Sequence, residues 1–128
     1  MDNKEKIVAE LSGFCENVYY VSKDKAGQVS ALVSISMQVG GVTRMINGDG
    51  DAVSFHMFSD WLPTVYGKFP SRSVALENVD IQYSDKYGLA TYTEIQITGD
   101  AINKRKSSAV FLIVEDRALW LHLIEEWV

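Results

Sequence analysis

The apolar residues of this 128-residue chain change their repeat once, and that change limits the fold more than any single motif does. Near the N-terminus Ile7, Leu11, Phe14, Cys15 and Val18 recur at steps of three and four, with Lys4, Lys6, Glu10 and Glu16 between them. That spacing predicts an amphipathic helix packed through Ile7, Leu11, Phe14 and Val18. From Val79 onward the step is two. Val79, Ile81 and Tyr83 alternate with Asp80 and Gln82, and the stretch from Leu89 to Thr98 is rich in Thr, Tyr and Ile. The polar cluster from Ser84 to Gly88 reads as the turn of a hairpin. Asn103-Lys104-Arg105-Lys106 reads as a second turn, Ser107 to Glu115 as a strand, Glu115-Asp116-Arg117 as a third turn and Ala118 to Val128 as the last strand.

Between these halves the pattern is mixed. Val29, Leu32 and Val33 have helical spacing, whereas Val33, Ile35, Met37 and Val39 alternate, so a short helix followed by a strand into Gly40-Gly41 is expected. Asn47-Gly48-Asp49-Gly50 is a turn by its residue types. Asp51 then caps an expected helix with Ala52, Phe55, Ser59, Leu62 and Tyr66 along one face, kinked or stopped at Pro63. Helices first and an antiparallel meander afterwards give an α+β domain, in which two or three N-terminal helices pack on one face of a bent antiparallel sheet. The length suits one domain, residues 1–128.

Charge and composition narrow the partners. Twelve Lys and Arg face seventeen Asp and Glu, a formal net charge of -5, so neither phosphate backbones nor anionic membranes are attracted in general. The expectation is no nucleic acid and no membrane partner. The longest apolar run, Ala109 to Val114, is far short of the roughly 20 residues of a spanning helix. With one cysteine, Cys15, an internal disulfide is excluded, and the absence of a secretion-type apolar leader points to a cytoplasmic protein. Asn47-Gly48-Asp49-Gly50-Asp51 begins like a calcium loop but has Ala52 where that loop needs glycine and Phe58 where it needs a bidentate Glu. No metal site and no cofactor are expected.

The closing third carries a resemblance. Gly99-Asp100-Ala101, then Lys106-Ser107-Ser108-Ala109-Val110-Phe111, a charged turn, and Leu119-Trp120-Leu121-His122-Leu123-Ile124-Glu125-Glu126-Trp127 resemble the last hairpin of SnoaL-like members of the nuclear transport factor 2-like superfamily. The resemblance implies a cone: a strongly curved sheet wrapped on helices, enclosing an apolar cavity, usually in a homodimer. That superfamily includes ketosteroid isomerases, dehydratases, polyketide cyclases, kinase association domains and pure binding proteins, so the fold alone does not choose a reaction. The cavity expected here is lined by Tyr19, Phe55, His56, Trp61, Tyr92, Phe111, Trp120 and His122, and takes a small, largely apolar molecule.

In a fully extended last strand Trp120, His122, Ile124 and Glu126 share one face, and Leu121, Leu123, Glu125 and Trp127 the other. Turning Trp120 and His122 inward leaves Leu121, Leu123 and Trp127 for the outer face and a dimer contact. His122 is then the candidate general base, with Glu94 as its orienting carboxylate on a strand where Tyr92, Glu94 and Gln96 point one way. The structural alternatives stand beside these readings: His122 as a strand histidine satisfied by a neighbour, Glu94 on a solvated face, Tyr19 and Trp61 as core, His56 at a surface. Lys104-Arg105-Lys106 reads as a solubilising hairpin tip. Two function classes remain open. One is a small-molecule-binding or dimerisation module; the other is a small lyase or isomerase of dehydratase, ketosteroid isomerase or cyclase type with a His base.

Overall fold

The computed structural model describes residues 2–23, 44–54, 57, 60 and 72–128. Helix α1 (Asn3–Lys23) starts where Asp2 accepts a hydrogen bond from the Glu5 amide through Oδ1 at 2.8 Å, which satisfies one of the donors a helix leaves open at its first turn. Six strands follow: β1 (Arg44–Ile46), β2 (Ala52–Ser54), β3 (Arg72–Tyr83), β4 (Tyr87–Thr98), β5 (Ala101–Ile113) and β6 (Ala118–Trp127). They form one sheet in the order β2-β1-β6-β5-β4-β3. The meander β3 to β6 is antiparallel as expected. The sheet as a whole is mixed, because β1 lies parallel to β6, and it is curved. Among the described residues one N-terminal helix covers it, where two or three were expected.

Two irregularities shape the sheet. The β3–β4 register shifts between Glu77 and Asp80, and Asn78 there has φ 54°, a left-handed conformation that Asn tolerates better than most side chains. The β5–β6 register shifts between Val110 and Phe111: Phe111 faces Trp120, yet Val110 faces His122, so Leu121 is an extra residue in β6.

Helix α1 lies on the concave face and touches β3, β4, β5 and β6. Its buried Ile7 and Leu11 meet Ala90, Tyr92, Ala109, Phe111, Ala118, Trp120 and Leu123, with Phe14 packed against them. The Trp120 ring sits 4.6 Å from that of Phe111 and 5.5 Å from that of Phe14, centroid to centroid. A methyl at Gly88 would lie 2.3 Å from the end of the Ile7 side chain, so the helix approaches β4 closely there. Its first turn is tied to both turns at this end of the sheet. Asn3 Nδ2 donates to Ser84 O at 2.9 Å, and Lys6 Nζ donates to Val114 O at 3.2 Å and Glu115 O at 3.0 Å.

Two local expectations change. The β4–β5 turn is Gly99-Asp100, with Gly99 at φ 60°, and Asn103-Lys104-Arg105-Lys106 lies inside β5. A polar run looked like a turn because three of its four residues, Asn103, Lys104 and Lys106, are exposed. Asp51 does not cap a helix beginning at Ala52. The Asn47–Asp51 turn instead closes the β1–β2 hairpin, with Asn47 Oδ1 accepting from the amides of Asp49 and Asp51 at 3.1 and 3.0 Å. Helical residues come later, at Met57 and Asp60, and Ser54 Oγ accepts from the Met57 amide at 3.1 Å. The expected helix and strand between Gln28 and Val39 lie outside the described residues.

Candidate functional site

Directly opposed residues on neighbouring strands share a sheet face, so the register identifies the concave surface row by row. Ala90 faces Ala109, which faces Leu123; Tyr92 faces Ser107, which faces Glu125; Glu94 faces Arg105, which faces Trp127. The first row is apolar and the next two are polar. Glu94 is 1% exposed and Glu125 6%, in a chain where an unpaired carboxylate at that depth would cost several kcal/mol.

Arg105 is what makes their burial possible. Its Nε and Nη2 both donate to Glu94 Oε2, the former at 2.9 Å, and its Nε lies 3.2 Å from Glu125 Oε2. Gln96 Nε2 donates to Glu94 Oε2 at 3.0 Å. On the neighbouring strand Arg72 Nε donates to Thr98 Oγ1 at 3.1 Å. The outer side of Arg105 stacks toward the Trp127 ring, 5.1 Å from its centroid. Trp127 in turn donates from Nε1 to Asp49 Oδ1 at 2.9 Å, and a methyl at Gly48 would lie 2.7 Å from the indole. The β1–β2 turn therefore closes against the end of the cluster.

Burial pushes the Glu125 carboxyl up to about 7, against the pull of Arg105 and with a further push from Glu94. Burial, followed by the charges of Glu94 and Glu125, raises the Tyr92 phenol, which stays protonated. Burial also lifts the Cys15 thiol to about 11, with Glu94 adding to the rise, so this cysteine is a neutral neighbour of the cluster and not a nucleophile. The set can accept, donate and hold a proton at the Glu125 carboxyl in low-dielectric surroundings. Among the described residues no group of three or more His, Cys, Asp or Glu side chains could hold a metal ion.

A second ion pair lies nearer the helix. Glu10, 8% exposed, meets Arg117 Nη2 at 3.0 Å. Burial raises the Glu10 carboxyl above its ordinary value, while the Arg117 charge works against that rise.

The structure brings Tyr92, Glu94, Phe111 and Trp120 to the concave face and buries all four. It does not bring His122 there. His122 faces Val110 across β5 and is exposed, on the convex side with Leu89 and Ile124. The single residue added at Leu121 reverses the alternation after Trp120. His122 and Glu94 consequently stand on opposite faces, and the expected base and orienting carboxylate do not form a pair. The same reversal turns Leu123 and Trp127 to the face of Glu125, away from the outer contact expected of them. Phe55, His56 and Trp61 lie outside the described residues, as does the side chain of Tyr19.

Arg105 and Glu125 were missed. Lys104-Arg105-Lys106 read as a strand puts the arginine on the face opposite the two lysines, and Tyr92, Glu94 and Gln96 already marked one face of β4. Those two alternations were the available signal; the register joining them was not.

No protein-family model matches the sequence, and no curated protein is significantly similar to it. Solved structures are similar over nearly the whole chain. An NTF2-like protein of unknown function from Pseudomonas aeruginosa is 17% identical, with a TM-score of 0.80 over 98% of this chain and 97% of that one. The chain has an NTF2-like fold. An NTF2-like protein from Cytophaga hutchinsonii superposes with a TM-score of 0.75 at 10% identity, covering 100% of both chains. The CaMKII hub of S. rosetta does so with 0.75 at 8% identity, covering 97% of this chain and 95% of that one. At these identities the NTF2-like likeness extends to the path of the backbone and not to the residues of a site.

Proposed function

We propose that this chain is a noncatalytic small-molecule-binding module, in which the concave face of an NTF2-like cone holds a small, largely apolar ligand. The observation that carries this reading is the Glu94–Arg105–Glu125 cluster: two buried carboxylates held by one half-buried guanidinium beside the apolar row of Ala90, Ala109 and Leu123. An apolar site with a few convergent polar groups is the usual constitution of a ligand pocket. The SnoaL-like features of the closing hairpin support a cavity between helix and sheet. A His-based lyase loses support, because the exposed His122 faces away from the cluster.

The module acts as a cytoplasmic homodimer joined through the convex face. Leu89, Ile97, Ile102 and Ile124 are between 37% and 61% exposed on that side, an apolar surface that a second copy would cover. No helix among the described residues is long and apolar enough to cross a membrane. Ligand-observed NMR with ethylbenzene and other small alkylbenzenes tests the binding reading. Saturable binding supports it, and the absence of any saturable binding overturns it. Sedimentation of the unliganded protein tests the dimer, which a monomer at micromolar concentration would remove.

A further inference from the structure

Ser107 lies between Tyr92 and Glu125 in the register, on the concave face. It is 3% exposed, and among the described residues its Oγ has no hydrogen-bond partner. A buried hydroxyl without a partner forfeits its solvation and gains nothing in return, so this position is unfavourable for folding. Its neighbour across the strand is a carboxylate that Arg105 contacts through one oxygen, Glu125 Oε2. We propose that Ser107 and Glu125 together form the polar end of the binding site, and that they select a ligand carrying a hydroxyl group on a small apolar body. This rests on the binding reading above and names its ligand class.

The choice of a hydroxyl follows from what each group lacks. A serine hydroxyl has one hydrogen to donate and lone pairs to receive, whereas an ionised carboxylate only receives. A ligand hydroxyl satisfies both at once: its hydrogen goes to Glu125, and its oxygen takes the hydrogen of Ser107. An ammonium group has no lone pair for Ser107, and it would meet the positive charge of Arg105 beside Glu125. An ether or ketone offers an acceptor to Ser107 but no hydrogen to the carboxylate. A hydrocarbon leaves both groups as they are. Sites built to pair with a hydroxyl reject analogues lacking it far more strongly than apolar pockets reject an extra methylene.

Three probes of similar size separate these cases: 4-ethylphenol, 4-ethylanisole and ethylbenzene, titrated by ligand-observed NMR against the full chain at pH 8.5, where Glu125 is ionised. Binding of 4-ethylphenol at least tenfold tighter than either of the others is expected. Ser107→Ala should weaken 4-ethylphenol about fivefold to tenfold and leave ethylbenzene within twofold, and Glu125→Gln should reduce the preference for the phenol over the ether. Equal binding of all three probes by the unmodified chain overturns this inference and leaves the binding module standing. Failure of all three to bind overturns both. A Ser107→Ala protein that retains the full preference for 4-ethylphenol also overturns it, and the comparison of probes on the unmodified chain does not depend on how that variant folds.

Discussion

Two buried ion clusters lie on the same side of the sheet, and they differ in their charge count. At the helix end one carboxylate, Glu10, meets one guanidinium, Arg117. In the polar rows two carboxylates, Glu94 and Glu125, share Arg105. The first is balanced and ties α1 to the β5–β6 turn, a place where a pair adds geometry more than energy. The second carries one negative charge too many among its direct contacts, and burial, with Glu94 adding to it, holds the proton of the Glu125 carboxyl up to about 7. Structural ion pairs tend toward neutrality; an unbalanced one at the bottom of a concave face is where a ligand or a proton has work to do.

Removing the shared cation should have the largest effect. Arg105→Ala strands two carboxylates below the surface, and a loss of about 3–5 kcal/mol in chemical denaturation at pH 8 is expected. Arg105→Met with Glu94→Gln and Glu125→Gln should recover most of that loss. If Arg105→Ala proves neutral, the cluster is hydrated enough to need no cation, and the contrast with Glu10–Arg117 disappears.

The pH dependence of stability comes next. Glu125 holds its proton to a higher pH folded than its ordinary 4.5, so between 4.5 and about 7 the folded chain binds more protons than the unfolded one. Stability contributed by this group is therefore fully present below 4.5 and is lost as pH rises through about 7, a fall of roughly 3–4 kcal/mol at most. Glu125→Gln should flatten that fall and leave the protein more stable at pH 8 than the unmodified chain. An unchanged pH profile in Glu125→Gln would assign the dependence to another group, with Glu10 first in line.

Arg117→Met should cost less, about 1–2 kcal/mol, because the Arg117 side chain is 28% exposed and water can reach the carboxylate it leaves behind. A loss as large as that of Arg105→Ala would make the two clusters equivalent. The smallest effect is expected at Gln96, whose amide donates one hydrogen bond to Glu94. Gln96→Leu should cost about 1 kcal/mol by the same denaturation measurement, and no cost would mean that Arg105 alone satisfies that carboxylate.

How much of this was legible varies with the range of the interaction. Ile7, Leu11 and Phe14 announce their helix because their contacts follow from a local repeat, and the meander from β3 to β6 follows from alternation in the same way. The Gly99-Asp100 turn was overlooked since Asn103 to Lys106 supplied a longer polar run nearby. Tyr92, Phe111 and Trp120 were placed in the interior on aromatic size and strand parity. Arg105 and Glu125 were not, for their meaning depends on which residues stand opposite, and register is set by hairpin turns and bulges rather than by either strand alone. His122 shows the converse: its parity was read from Trp120 across a residue that does not count in the ladder.

That uncounted residue gives β6 two reading frames. Upstream of Leu121 the strand shows its interior to the helix through Ala118 and Trp120; downstream it does so through Leu123 and Glu125, odd positions in place of even ones. Excising Leu121 would leave an unbroken ladder with Trp120, Leu123 and Glu125 still inside and His122 still outside; admitting Leu121 to the ladder, with every later residue slipping one place, would instead bring His122 and Ile124 beneath the helix and carry Glu125 out to water. The partition between a histidine-bearing outside and a carboxylate-bearing inside thus hangs on Leu121 staying out of the ladder, and a slip of register by one residue would exchange the chemistry of the interior without altering any side chain.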